Sequence, residues 1–404
     1  MSKEVQPEVN IGLVGHVDHG KSTLTKALSG RWTDTHSEEQ KRGITIKLGY
    51  AECDIYHDGE EYTVGKGDHV RRISLVDAPG HESLMATMLA GTTVMDGAIL
   101  LVAANERVPQ AQTEEHLMAL QLSGIENVIV AQNKIDLVTD DELKQNYEQI
   151  QSMLEGTAYE DAPVIPISAE KEVNISYLLE AIETIIPTPD RDESEDTQFL
   201  VTRSFDINRP GYKPDDMLGG VLGGSLIQGV LTVGDRLEIR PGRIVQEQNK
   251  MTAKPITTEV VSLQSGNTSL DKATPGGSLG VMTTLDPAVV KSDNLVGNIV
   301  GKPGTLPPIW NDIEVELHLL NRVVGMEGEK DVKNVKKGEL LLLNVNSATT
   351  AGQVYELGKN RAKLKLRLPI CAKDGARISI SRKIGTRFRL VGYGLLNTEN
   401  SKEV

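Results

Sequence analysis

Two cysteines, Cys53 and Cys371, stand far apart in a chain of 404 residues. They exclude a disulfide framework and a four-cysteine zinc site, and they fit a reducing compartment. Long apolar runs are also missing. The longest clean one, Ala98–Ala104 (AILLVAA), falls far short of the roughly 20 residues that span a bilayer. The opening MSKEVQPEVN has no apolar stretch after its positive residue and does not read as a signal peptide. A cytoplasmic protein with no membrane partner is expected. No internal repeat or low-complexity tract is visible. Positive charge is in deficit: the formal net charge is -14. That argues against general affinity for nucleic acid, DNA included, because neutralising phosphates takes clustered Lys and Arg.

What is present is the composition of an ordinary folded chain, 39% hydrophobic and 25% charged, with a length that suggests roughly two to three domains. One segment runs against the acidic total. Between Arg361 and Arg389 ten basic residues stand against one acid, Asp374. Within it Lys363, Lys365 and Arg367 alternate with Leu364, Leu366 and Leu368, as on a strand with one wet face. A solvated face and a phosphate-binding stripe both fit that alternation.

From Val9 to Pro187 short apolar runs alternate with longer amphipathic ones. Strands are predicted at 9–15, 71–76, 97–103, 127–132 and 163–168, and helices at 112–124, ending in Gly124, and at 174–186. Such alternation implies a mostly parallel sheet covered by helices. PTPDRDESEDT (187–197) has no apolar face and reads as a linker. Beyond it come short β-branched runs separated by Gly, Pro, Asn and Asp, with no convincing helix. The fold class expected is an α/β P-loop GTPase domain (1–197) followed by two β-barrel domains (198–306 and 307–404).

The nucleotide reading rests on four motifs. Gly15-His16-Val17-Asp18-His19-Gly20-Lys21-Ser22 fits G-x-x-x-x-G-K-[ST] between a strand and a helix, the context this motif needs. Loop and helix amides from Asp18, His19, Gly20 and on to Thr23 would hold phosphates, Lys21 would reach the β- and γ-phosphates, and Ser22 would bind Mg²⁺. Asp77-Ala78-Pro79-Gly80-His81 follows an apolar strand. Asp77 can hold the Mg²⁺ shell through water, the Gly80 amide can meet the γ-phosphate, and His81 can orient the attacking water as the catalytic residue. In Asn133-Lys134-Ile135-Asp136, the Asp136 carboxylate can accept the guanine N1 and N2 hydrogens, which adenine lacks. Lys134 can lie along the base and Asn133 can tie loops together. Ser168-Ala169-Glu170 ends the last strand, where a backbone amide can meet guanine O6. Together the four imply GTP or GDP as ligand. Between the first two lies Arg42-Gly43-Ile44-Thr45-Ile46, where Thr45 can hold Mg²⁺ while a γ-phosphate is present and release it afterwards. No internal arginine finger is evident, so a partner should accelerate hydrolysis.

Asp18 is a carboxylate inside an anion cradle. Either a second cation neutralises it, with the Gly43 carbonyl as a further ligand, or it turns outward and caps the turn through backbone amides.

GHVDHGKST, RGITI, DAPGH, NKID and SAE together resemble the translational GTPases. Residues 32–55, 219–242 and 371–394 are closer to the family of the γ subunit of archaeal and eukaryotic translation initiation factor 2, in a short archaeal-like form. The resemblance runs from about Val9 to the end. It implies a G domain with two β-barrels and a heterotrimer with α and β subunits. It also implies GTP-dependent binding of methionylated initiator tRNA, delivery to the small ribosomal subunit, and release after hydrolysis to GDP. Asp18, Ser22, Gly43 and Thr45 match family positions around magnesium. The family commonly carries a four-cysteine zinc knuckle, but HDGEEYTVGKGDHV (57–70) has no cysteine, so no zinc is expected. The rival readings are an elongator-type tRNA carrier, such as a selenocysteine-specific factor, the GTPase subunit of a sulfate-activating enzyme, and an assembly module that never turns over.

Overall fold

The computed structural model describes residues 6–33, 45–208, 211, 213, 217–247, 250–325 and 331–403. The chain divides into two compact units. One spans Pro7–Pro189 and takes in Val324 and Gly325; the other holds Asp190–Val323 and the chain from 331 on.

In the first unit β1 (Val9–Gly15) is central. It pairs in parallel with β4 (Asp68–Asp77) on one side and β5 (Gly97–Ala103) on the other, and β6 (Asn127–Asn133) and β7 (Val164–Pro166) continue the parallel order. All seven residues of β1 and of β5 are buried, the continuous apolar run that a strand covered on both faces requires. Leu24 and Leu28 of α1 (Lys21–Ser29) join the core formed by Ile11, Leu13, Leu75, Ile99 and Ile129. So do Leu178 and Ile182 of a later helix, Ile175–Ile185.

The predicted strands at 9–15 and 97–103 have the observed bounds, while 163–168 shortens to three residues. The helix predicted at 112–124 is Ala111–Ser123, and Gly124 caps it at φ 79°, a left-handed backbone that glycine adopts without a Cβ penalty. Buried Arg71 donates to the Ile182 and Ile186 carbonyls at the end of Ile175–Ile185 and pairs with Glu183 at 2.8 Å, so its burial is fully compensated.

The sequence reading missed a hairpin. β2 (Gly49–His57) runs antiparallel to β4, and β3 (Tyr62–Val64) antiparallel to β2. This hairpin contains the cysteine-free stretch 57–70. Arg72 grips Asp54 with two hydrogen bonds of 2.7 and 2.8 Å, and His69 Nε2 lies 3.1 Å from the same carboxylate. In the turn, Asp58 accepts from the amides of Glu60 and Glu61.

The second unit contains two closed six-stranded barrels. The first runs in the order Arg236–Glu247, Ile299–Gly301, Gln198–Phe205, Val221–Gln228, Leu279–Thr283 and Lys250–Ser265, which pairs back with the first strand. Against the expectation of no helix here, Pro287–Val290 forms one helical turn, started by Pro287 and capped by Asp286. The second barrel runs Ile309–Leu319, Arg361–Cys371, Ala348–Leu357, Leu340–Val345, Arg377–Ile384 and Arg387–Glu403, closing on Ile309–Leu319. In it Leu364 and Leu366 are buried while Lys365 and Arg367 face outward. Leu368 departs from the expected alternation: it is exposed, within a register irregularity between Lys365 and Ile370 where its amide donates to the Thr350 hydroxyl. The basic stripe is partly neutralised by neighbouring strands, Arg361 by Glu314 and Lys363 by Glu356. Among the described residues, no helix is long and apolar enough to cross a membrane.

Candidate nucleotide site

Four of the five sequence motifs meet at the C-terminal edge of the parallel strands, where ligands bind open α/β sheets. Leu13 of β1 lies level with Asp77 of β4, and Ala103 of β5 with Asn133 of β6. A cleft of about 380 Å³ opens there. Val17, Asp18 and Gly20–Thr23 wall it on one side, with Trp32, Thr45, Gly80 and Lys134 around the rest.

The loop after β1 is shaped for an anion. Gly20 is the N-cap of α1 at φ 94°, and no side chain caps the helix. The first amides of α1 therefore point into the cleft without the side-chain acceptor that usually serves them. Lys21 is buried and donates to the carbonyls of Gly15 (3.0 Å) and His16 (2.8 Å), which hold its ammonium group at the loop. Gly80 closes against this loop: a Cβ there would sit 2.4 Å from Lys21 Nζ and 2.8 Å from the Gly15 oxygen. No other residue type fits that approach.

A cluster of oxygens lies beside the helix start. Asp77 is completely buried. Its Oδ2 accepts from the Ser22 hydroxyl at 2.8 Å, and Ser22 Oγ is 3.3 Å from Thr45 Oγ1. A residue outside every motif also reaches it: the Thr33 hydroxyl donates to Asp77 Oδ2 at 2.6 Å. Gly43, expected as a further ligand, lies outside the described residues.

Asp18 is exposed at φ 63°, a left-handed conformation that Asp tolerates better than most residues. Among the described residues, no hydrogen bond or ion pair reaches its carboxylate, so the turn-capping contact is absent there. His19, expected to line the ligand, lies beneath the loop instead, with Nδ1–H donating to the Leu101 carbonyl at 2.9 Å. Asn133 is also set back from the cleft, where its side chain joins two loops. Nδ2 donates to the His19 carbonyl at 2.9 Å, and Oδ1 accepts from the Ala169 amide at 3.0 Å. Ser168 donates to Asp136 at 2.6 Å and holds that exposed carboxylate in place. In the third loop the Ser168 amide donates to the Val173 carbonyl and the Ala169 amide to Asn133. Among the described residues, the Glu170 amide has no such partner.

His81 is turned away from the cleft. Its Nδ1 accepts from the Ser83 amide at 3.2 Å and lies 2.8 Å from the Ser83 hydroxyl, capping the turn Glu82–Leu84. With Nδ1 accepting, the neutral ring carries its proton on Nε2 and cannot take one from water there.

Sequence reasoning also missed His116, on the helix Ala111–Ser123. Its Nδ1 accepts the Gly15 amide at 2.9 Å and anchors the loop from below. Burial pushes the His116 pKa down to about 3, and nearby Lys21 and the other histidines add to the effect. Burial also lowers His19 to about 4, outweighing Glu106, whose carboxylate lies 3.4 Å from Nε2. Both imidazoles are neutral in the fold, whereas an unfolded histidine titrates near 6.5. Their contribution to stability is thus present above about pH 6.5 and lost as pH falls toward about 4 and 3. Each costs roughly 1.4 kcal/mol per pH unit once the unfolded form is fully protonated. Urea unfolding followed by helical circular dichroism, which reports almost wholly on this unit, should give a midpoint unchanged from pH 8 to 7 and clearly lower at pH 5. Equal midpoints at pH 7 and 5 would contradict neutral burial. Asp54, held low by Arg72, adds its own loss only below about pH 4.

Residues 6–188 match the model of the elongation factor Tu GTP binding domain, and residues 311–396 match that of the initiation factor eIF2 gamma C-terminal domain. The translation initiation factor 2 subunit gamma of Pyrococcus furiosus is 54% identical over 404 residues, covering 98% of each chain. That of Methanocaldococcus jannaschii is 55% identical over 401 residues, covering 97% of this chain and 98% of the relative. The chain belongs to the family of translation initiation factor 2 subunit gamma. It is thus a translational GTPase, with the G domain and paired barrels of that group. Two solved structures share the fold at 23% identity. A bacterial selenocysteine-specific elongation factor EF-Sec has a TM-score of 0.76, covering 96% of this chain and 58% of that one. Translation elongation factor SelB from Methanococcus maripaludis, in complex with the GTP analogue GppNHp, has a TM-score of 0.74, covering 97% and 79%.

Proposed function

We propose that the chain binds GTP or GDP with Mg²⁺. In its GTP form it carries methionylated initiator tRNA to the small ribosomal subunit and lets go after hydrolysis. It works in the cytoplasm as part of a heterotrimer with α and β subunits, α against the second domain and β against the G domain. The same reading assigns 1–197 to the nucleotide and 198–306 and 307–404 to the barrels. The observation that carries it is the gathering of the phosphate loop, Asp77, Gly80, Asn133 and the Asp136–Ser168 pair at one sheet edge.

The Ser22, Thr45 and Asp77 oxygens suit magnesium. Ser22 and Thr45 would hold the cation by their hydroxyls and Asp77 would hold its shell through water, with Ser22 Oγ 2.8 Å from Asp77 and 3.3 Å from Thr45. When bound, the cation supplies neutralisation of phosphate charge. The chain's own residues do the rest. Lys21 and the α1 amides hold the phosphates, the Gly80 backbone lies close enough to register a γ-phosphate, and Asp136 reads the base. The uncapped, exposed Asp18 supports a second cation shared with the nucleotide, with Gly43 as its further ligand. The Asp54–Arg72–His69 contacts support a hairpin at 57–70 that holds without zinc, and one zinc per chain in elemental analysis would refute that.

In a filter-binding assay, GTP-loaded protein should retain initiator methionyl-tRNA at least tenfold better than elongator methionyl-tRNA or the GDP form. Equal retention of the two tRNAs would favour an elongator-type carrier, and no retention of either would favour a role outside translation.

A further inference from the structure

Thr33 lies at the metal end of the cleft with two constraints on it. Its hydroxyl donates to Asp77 Oδ2 at 2.6 Å, beside the bond from Ser22 at 2.8 Å. Its Cβ rests on the backbone of Gly49, the first residue of β2: a Cβ added at Gly49 would come within 2.6 Å of it. Gly49 in turn is the register partner of Asp77 across the β2–β4 pair. Thr33 is therefore seated on the strand end beside Asp77 and holds the carboxylate together with Ser22 of α1. A buried carboxylate is oriented by its donors, and hydroxyl bonds to an ionised oxygen are the short, strong kind. With both Ser22 and Thr33 on Oδ2, the rotation of the Asp77 group about its Cβ–Cγ bond is set from two directions.

We propose that Thr33 is a positioning residue of the magnesium site: its hydroxyl fixes the Asp77 carboxylate in the orientation that receives the metal shell. It acts through Asp77 and touches neither nucleotide nor cation. Thr45 reaches the same oxygen cluster through Ser22. The inference rests on the nucleotide and magnesium reading above and adds to it a residue that no motif contains.

The test uses the full chain and a fluorescent GDP, with release rates measured in EDTA and across a Mg²⁺ titration. Thr33→Val keeps the shape and removes the hydroxyl; Thr33→Ser keeps the hydroxyl and removes the methyl. In EDTA all three proteins should release GDP at the same rate. The Mg²⁺ concentration needed to slow release by half should rise about tenfold in Thr33→Val. Thr33→Ser should stay within about twofold of the unaltered chain. A Thr33→Val titration superimposable on that of the unaltered chain overturns the proposal. So does a loss of equal size in EDTA, which would make Thr33 a packing residue only. Thermal unfolding without ligand confirms that the variants fold. An unaltered chain that binds no GDP, or binds it without any effect of Mg²⁺, refutes the nucleotide reading itself, and this inference with it.

Discussion

Replacing Asp136 by Asn is expected to weaken GDP binding about a thousandfold and to turn the site toward xanthosine diphosphate. A site built to hydrogen-bond a particular group discriminates by factors of roughly 10⁴–10⁵, because its own buried polar atoms are otherwise left unmatched. The carboxylate of Asp136 only accepts, so it matches guanine, which presents N–H groups at N1 and N2. An Asn offers one acceptor and one donor. It still accepts from N1, but its N–H₂ faces the guanine amino group, donor against donor. Xanthine has a carbonyl in place of that amino group and restores the match. The Ser168 hydroxyl, 2.6 Å from Asp136 Oδ1, can donate to either side chain, so the substitution leaves the loop in place. Calorimetry with the two diphosphates decides it. Unchanged GDP affinity in the variant would remove Asp136 from base recognition.

The second large effect is expected at His81. His81→Ala should leave GDP affinity within about twofold, because the side chain does not line the cleft and, among the described residues, bonds within its own turn. Hydrolysis stimulated by a partner should fall by about 10²–10⁴, the usual contribution of a positioned acid or base. Nδ1 meets Ser83 in the structure, so a partner that turns the ring toward the cleft would account for stimulation. Single-turnover hydrolysis, with and without small ribosomal subunits, measures both rates. Stimulated hydrolysis at the normal rate in the variant would exclude His81 from the chemistry.

The two fully buried strands Val9–Gly15 and Gly97–Ala103 were legible in the sequence because burial on both faces forces an unbroken apolar run. The strand Gly49–His57 was missed although its signal is present. Ala51, Cys53 and Ile55 face the core while Tyr50, Glu52 and Asp54 do not, and that alternation marks a strand with one open face. The phosphate loop, Asp77 and Asn133 were found because short motifs carry their own backbone geometry. His116 and Thr33 were not, since each meets the site through a contact spanning 101 and 44 residues, which no local spacing encodes. His81 was assigned from its place after Gly80, but its orientation depends on Ser83, whose hydroxyl and amide have no signature of their own.

The α/β sheet is bounded by its two shortest strands, Tyr62–Val64 and Val164–Pro166, three residues each, and one of them includes a proline with no N–H to offer. The second barrel closes on itself, and the first carries only one three-residue strand, Thr268–Leu270, beyond its closed ring. Exposed strand edges are the usual templates for aggregation, and very short edges or full closure deny them. Although strands dominate this chain, it offers a stray β-segment little to zip onto. Crowding alone should therefore not drive it into fibrils while it stays folded, and an amyloid-type dye should remain dark in concentrated native samples.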